Sequence, residues 1–157
     1  MIRLSKLTDY GILLMTQMAR HPDRSMHTAR DLAAETRIPL PTVSKILKVL
    51  AGGGLLISHR GIKGGYSLGR RAHEISVGEI ITVLDGPIGV TECAGTPGVC
   101  DMEPHCPVSA NWRIISRELK RALENVVLLD LVAPATVAPL RSGLITELQL
   151  ISGQPGA

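Results

Sequence analysis

The stretch "IPLPTVSKILKVLAGGGLLISHRGIKGGYSLGR", residues 38–70, decides how the chain is read. Pro41 opens a helix at a position where a missing N–H costs nothing. Val43, Ile46, Leu47 and Leu50 then recur at three- and four-residue steps, which predicts one buried stripe. Thr42, Ser44, Lys45 and Lys48 fall on the opposite face. "GGG" (Gly52–Gly54) ends the helix, because glycine accepts the left-handed conformation after a helix C-terminus. Two short apolar runs, Leu55–His59 and Tyr66–Leu68, flank the turn "RGIKGG", a β-hairpin signal. Arg60 and Lys63 lie at its tip.

Working upstream, Leu7, Gly11, Leu14, Met15 and Met18 share one face of a helix expected over Leu7–Arg20, which "HPDRS" breaks. A second helix is expected from Thr28 to Thr36, with Thr28 and Asp31 spaced as in a capping box. "RIPLP" links it to the third helix. Three short helices followed by a hairpin predict a mainly α fold, a winged helix-turn-helix. In that arrangement the second helix crosses the DNA backbone and the third enters the major groove. The candidate DNA-contacting residues are Thr28, Pro41, Thr42, Ser44, Lys45 and Lys48, with Arg60, Lys63 and Tyr66 from the wing. The residues on the third helix are small, so phosphates are expected to supply much of the binding energy. Arg60, set beside glycines, suits a narrow, A/T-rich minor groove.

Composition agrees. The 157 residues are 45% hydrophobic, enough for a core, but only 2% aromatic. An aliphatic core is expected, and the lack of ring platforms argues against a single-stranded nucleic-acid binder. Residues 1–73 carry twelve Lys and Arg against four Asp and Glu, a charge of +8, whereas residues 74–157 carry five against ten, a charge of −5. The basic front half is the part expected to meet a polyanion. "GILLM" is too short for a signal-peptide core or a spanning helix, so the expected location is cytoplasmic, where thiols stay reduced.

Downstream, Ser76 and Glu79 form a capping box for a helix through about Leu84, with Val77, Ile80, Ile81 and Leu84 on one side. The three cysteines of the chain then fall within fourteen positions of the loop "TECAGTPGVCDMEPHCPVS", residues 91–109. Their spacing is Cys93-x6-Cys100-x5-Cys106. Structural zinc sites favour closely spaced cysteine pairs, and none is present. A thiol switch favours cysteines among basic groups, whereas Glu92, Asp101 and Glu103 surround these. Iron–sulfur clusters are held mainly by cysteine thiolates, and wider spacings in an irregular loop suit them. Spacing alone points to a metal centre, with iron–sulfur ahead of zinc.

A long helix follows from about Ser109. Trp112, Ile115, Leu119, Ala122 and Val126 step by three and four residues, a heptad seam suited to dimerisation. Specific DNA recognition by such a domain usually needs a symmetric dimer. A short helix near Leu140–Ile151 precedes a frayed end. The expected organisation is therefore a winged helix-turn-helix over 1–73, a linking helix and cysteine loop over 74–107, a dimerisation helix over 108–133, and a C-terminal helix and tail over 134–157. No nucleotide or flavin fingerprint suggests an enzyme or a small-molecule substrate.

Together, "RLSKLTDYGILLM", residues 38–70, "ISVGEIITVLDG" and the cysteine loop leading to "NWR" resemble the Rrf-type winged-helix transcription regulators. That group includes iron–sulfur cluster regulators, nitric-oxide sensors and regulators of the SUF cluster-assembly operon. The resemblance runs to about Val132. It implies a homodimer holding a 2Fe–2S or 4Fe–4S cluster through Cys93, Cys100 and Cys106, with Arg60 in the minor groove and Pro41 and Ser44 at base-contacting positions. Ser44 stands where iron–sulfur cluster regulators carry a glutamate, so the operator should differ. Ser109 stands where they carry a fourth, histidine ligand. Two residues remain for that role. Asp9, in "LTDY", matches the position from which nitric-oxide sensors supply an aspartate of the other subunit. His105 is adjacent to Cys106 and ligates only if the loop re-forms. Asp9 is preferred. The expected function is a cluster-sensing, DNA-binding regulator, most directly of SUF-type assembly genes. The alternative is a nitric-oxide-sensing repressor using the same site.

Overall fold

The computed structural model describes residues 3–62 and 64–133. Lys63, the segment 134–157 and the helix expected near 140–151 lie outside them. Among the described residues the chain is mainly helical. Helix α1 (Lys6–Arg20), α2 (Ala29–Thr36) and α3 (Leu40–Gly52) precede a hairpin of β1 (Leu56–His59) and β2 (Gly65–Leu68). Then come α4 (Val77–Asp85), a one-turn α5 (Glu92–Gly95) and α6 (Ser109–Glu124). Short 3₁₀ turns cover Ala72–Glu74, Glu103–His105 and Leu128–Leu131.

The core is aliphatic, as the composition requires. Leu14 and Met15 of α1, Leu32 of α2, and Val43, Ile46, Leu47 and Leu50 of α3 are fully buried together. Ile75, Ile80 and Leu128 complete the same cluster. The core thus crosses residue 73, and the helix-turn-helix packs on α4 and on the 3₁₀ turn that follows α6.

Local chemistry sets the ends of the helices. Ser5 caps α1 by accepting from the Thr8 N–H at 3.1 Å, while its own N–H donates to Asp85 Oδ2 at 3.1 Å. The start of α1 is thereby fastened to the end of α4. Thr28 Oγ1 accepts from the Asp31 N–H at 3.1 Å. Asp31 returns no bond to Thr28, so this cap is half of the expected box. At α4 the box is complete: Glu79 N–H donates to Ser76 Oγ at 3.1 Å, and Ser76 N–H donates to Glu79 Oε2 at 3.0 Å.

Helix α3 starts one residue before Pro41 and runs through Gly52. Gly54 then takes a positive φ of 76°. Its N–H donates to the Ala51 carbonyl at 3.1 Å, and the Leu55 N–H donates to the Leu50 carbonyl at 3.0 Å. These paired bonds make a Schellman stop, completed by two buried leucines, Leu50 and Leu55. The chain leaves it directly into β1. The hairpin is antiparallel, with Leu56 opposite Leu68 and His59 opposite Gly65. A third strand-like residue, absent from the sequence expectation, pairs with it: His27 bridges Tyr66.

Candidate DNA interface and cysteine loop

Helix α3 presents Pro41, Ser44, Lys45 and Lys48 outward, with Pro41 and both lysines exposed and Ser44 half-buried. These positions are three or four residues apart and form one stripe. Thr42 lies about a quarter-turn to the side and is half-buried, so it sits at the edge of that stripe. Leu40, 41% exposed, adds an apolar side chain that the polar pattern did not reveal. Thr28 is exposed at the N-terminus of α2. Its hydroxyl oxygen is taken by the cap, which leaves its proton to donate.

The wing carries Arg60 exposed on the 60–64 turn, closed by a Gly64 N–H to Gly61 carbonyl bond of 2.9 Å. Tyr66 is half-buried and packs against the core, so its first role is structural. Behind the helix-turn-helix, Arg24 donates to Glu35 at 2.7 Å and Gln17 donates to the same carboxylate at 3.0 Å. The Arg24 guanidinium, then Gln17, hold Glu35 below the ordinary glutamate range. Burial, reinforced by the positive charge of Arg24, pushes His27 below the usual histidine range.

The cysteine segment is more ordered than a wholly irregular loop. Cys93 lies in α5, 7% exposed, with Thr91 Oγ1 3.4 Å from its sulfur. Cys100 and Cys106 are half-buried, and all three thiols are free. Two contacts staple the segment to α6. Val90 N–H donates to the buried Ser116 Oγ at 3.0 Å. Glu103 accepts from Gly98 N–H at 2.7 Å and from Arg113 at 3.1 Å. His105 is exposed in the 3₁₀ turn before Cys106. Asp9 is exposed in the first turn of α1, where the helix dipole favours it.

Among the described residues, no three His, Cys, Asp or Glu side chains are gathered closely enough to hold a metal ion. The cysteines therefore share a segment without forming a closed set in the single chain. Their chemistry still fits an iron–sulfur cluster: three free soft thiols, Cys93 in the one-turn α5 and Cys100 and Cys106 flanking the turn at 101–105.

Helix α6 begins at Ser109 as expected and ends at Glu124. Trp112 and Ile115 are 37% and 47% exposed, Ala122 is exposed and Leu119 half-buried. Val126 leaves this seam. It lies beyond the helix, where its carbonyl accepts from the Val77 N–H at 2.8 Å and Val127 bridges Ser76. The last heptad step is therefore not a helical one.

A helix-turn-helix with a basic outward stripe, an arginine-tipped wing and a buried aliphatic core define a winged-helix DNA-binding regulator. The chain belongs to the Rrf2 family, described as iron-dependent transcriptional regulators, which it matches over residues 4–134. It is 32% identical over 131 residues to the HTH-type transcriptional regulator IscR of Serratia proteamaculans, covering 83% of this chain and 79% of that protein. The IscR of Erwinia tasmaniensis is 31% identical over the same length. Among solved structures, CymR of B. subtilis, described as a global cysteine regulator, superposes with a TM-score of 0.66 at 26% identity, over 84% of this chain and 97% of that one. The IscR of T. potens shares the fold, with a TM-score of 0.64 at 21% identity over 99% and 94% of the two chains. The chain is thus a transcription regulator of this family and not an enzyme. No helix among the described residues is long and apolar enough to cross a membrane.

Proposed function

We propose that the protein is a cytoplasmic homodimer that binds promoter DNA and holds an iron–sulfur cluster, 2Fe–2S or 4Fe–4S, whose state sets DNA affinity. The observation that carries this reading is the confinement of all three free thiols to one segment stapled onto α6 through Ser116 and Glu103. Cys93, Cys100 and Cys106 would hold the cluster. When bound, the cluster supplies a centre whose occupancy and oxidation respond to iron, oxidants or nitric oxide. Closing the segment around it would pull on α5 and α6. Because α6 also packs on α4, that pull would reach the helix-turn-helix core, giving two states with different DNA affinity.

The division of labour follows the sequence reading. Residues 1–73 meet the operator, residues 74–107 sense, and the outward face of α6 pairs two copies through Trp112, Ile115, Leu119 and Ala122. The proposed targets are SUF-type cluster-assembly genes, a reading that rests on the family resemblance alone. Asp9, exposed and with its carboxylate in no hydrogen bond or ion pair among the described residues, favours a second reading in which the signal is nitric oxide. A carboxylate ligand from the other subunit would be readily displaced.

Anaerobic purification followed by visible absorption and iron and sulfide assay tests the cluster. A brown protein is expected, and a colourless protein holding stoichiometric zinc overturns the reading. Titrating a holo-protein–promoter complex with nitric oxide, against iron chelation alone, separates the two signals.

A further inference from the structure

Behind the wing, a cleft of about 340 Å³ opens between the last turn of α1, the 21–27 loop, β2 and the 3₁₀ turn at 72–74. That volume lies in the range of sites for small organic molecules. Its lining combines apolar Met18 and Leu68 with Arg24, His27 and Arg71. Arg24 is already committed to Glu35. Arg71 engages Glu74 through its backbone alone: its N–H donates to Glu74 Oε2 at 2.9 Å and its carbonyl accepts from the Glu74 N–H at 2.9 Å. Its guanidinium, exposed at the rim, has no hydrogen bond or ion pair among the described residues.

His27 supplies an independent sign of a missing partner. It is 2% exposed, and its Nδ1 has no hydrogen-bond partner among the described residues. A buried polar atom left so costs free energy, and native structures rarely tolerate it without a water or ligand.

We propose that this cleft binds a small organic anion, an aliphatic carboxylate of metabolite size. Its charge pairs with the forked Arg71 guanidinium, which matches a carboxylate bidentately. Its apolar body lies against Met18 and Leu68. A ligand hydroxyl, or a water carried in with it, gives His27 Nδ1 its partner.

The location makes the ligand a brace for the wing. Strand β2 lines the cleft through Ser67 and Leu68, and His27 pairs with Tyr66 in β2 through both backbone bonds, 2.8 Å each. An occupant therefore joins α1 and the loop to the strand that carries the wing, and holds Arg60 against the helix-turn-helix. This site is separate from the cysteine segment and does not depend on a cluster being bound.

The test is an amide-resolved NMR titration of the isotope-labelled full chain with isovalerate, beside inorganic phosphate. Isovalerate should shift the amides of Ser25, His27, Ser67 and Leu68 with millimolar affinity, and the shifts should extend to Arg60 and Gly61 at the wing. Arg71→Gln, at an exposed position, should weaken binding about tenfold while leaving the rest of the spectrum unchanged. Absence of shifts with isovalerate, or equal affinity in Arg71→Gln, overturns the site. Phosphate binding as tightly as isovalerate overturns the organic-carboxylate class. Shifts that stop at the cleft and leave Arg60 and Gly61 unmoved overturn the bracing role.

Discussion

His27 and Tyr66 exchange both backbone hydrogen bonds, each 2.8 Å long, and so tie the wing to the residue that leads into α2. The base of the wing and the helix-turn-helix are therefore joined through the backbone into one reader. Gly65 makes this approach possible, because a Cβ there would meet the His27 carbonyl oxygen at 2.7 Å. Gly65→Ala should break the bridge, cost about 1–3 kcal/mol of stability and weaken operator binding. Hydrogen exchange would report it as loss of protection at the Tyr66 and His27 amides.

Arg60 and Lys48 should separate sequence reading from charge. Arg60→Ala should lower operator affinity on the order of tenfold and remove the preference for A/T-rich flanks. Lys48→Ala, on the outward stripe of α3, should weaken all sequences alike and reduce the salt slope of log K by about 1. Fluorescence anisotropy on two flank sequences at several salt concentrations measures both. An Arg60→Ala loss that is uniform across sequences would make Arg60 a phosphate contact.

Much of this reader is legible in the sequence because periodicity and stop signals agree there. The α3 stripe of Val43, Ile46, Leu47 and Leu50 is buried as its spacing requires, and "GGG" supplies the positive φ at Gly54. The His27 bridge was not legible, since a single strand residue has no alternation to detect. Val126 was misplaced for a related reason. A three-four spacing reads the same whether or not the backbone is still helical, and only the pairing of residues 126 and 127 with 76 and 77 shows that α6 has ended. The cysteine spacing raised a metal centre as an expectation for the segment, but staples such as Val90 to Ser116 come from positions 26 residues apart that no local pattern links.

Acid should loosen the joint between α1 and α2. Glu35 has its folded pKa depressed by Arg24 and Gln17. Its contribution to stability is then fully present above the unfolded value of about 4.3 and lost as pH falls through the lower folded value. Glu35→Gln should therefore be less stable than the parent near neutrality, with the gap closing as pH falls below about 4. Urea titrations of both proteins across that range check it. A gap that is constant with pH would assign Glu35 a packing role instead.

The outward face of α6 should hold two copies together. Ile115 is half exposed beside Trp112 on α6, where exposed apolar residues, Ile114 among them, alternate with charged ones. Burying a glutamate in an apolar interface is costly without a partner. Ile115→Glu should convert the dimer to a folded monomer in sedimentation velocity and reduce operator affinity on the order of a hundredfold. A dimer that persists places the interface elsewhere.

Asp9 poses the sharpest question about the cysteine segment, because the chain offers three thiols together and this carboxylate from a distant helix. If Asp9 completes the site from the other subunit, two defective chains should repair each other. A heterodimer of Asp9→Ala with Cys100→Ser keeps three cysteines on one chain and Asp9 on the other, hence one whole site per dimer. Each homodimer lacks a ligand in both sites. Differentially tagged, co-expressed heterodimers should hold about half the iron and sulfide of the parent, with its visible spectrum and its lifetime in air. If Asp9 ligates within its own chain, neither site of the heterodimer is whole and the spectrum should match the weaker homodimers. If Asp9→Ala homodimers hold a cluster as durable as the parent's, the fourth ligand passes to His105 or to a molecule from solution, and His105→Ala in the same assay decides between those two.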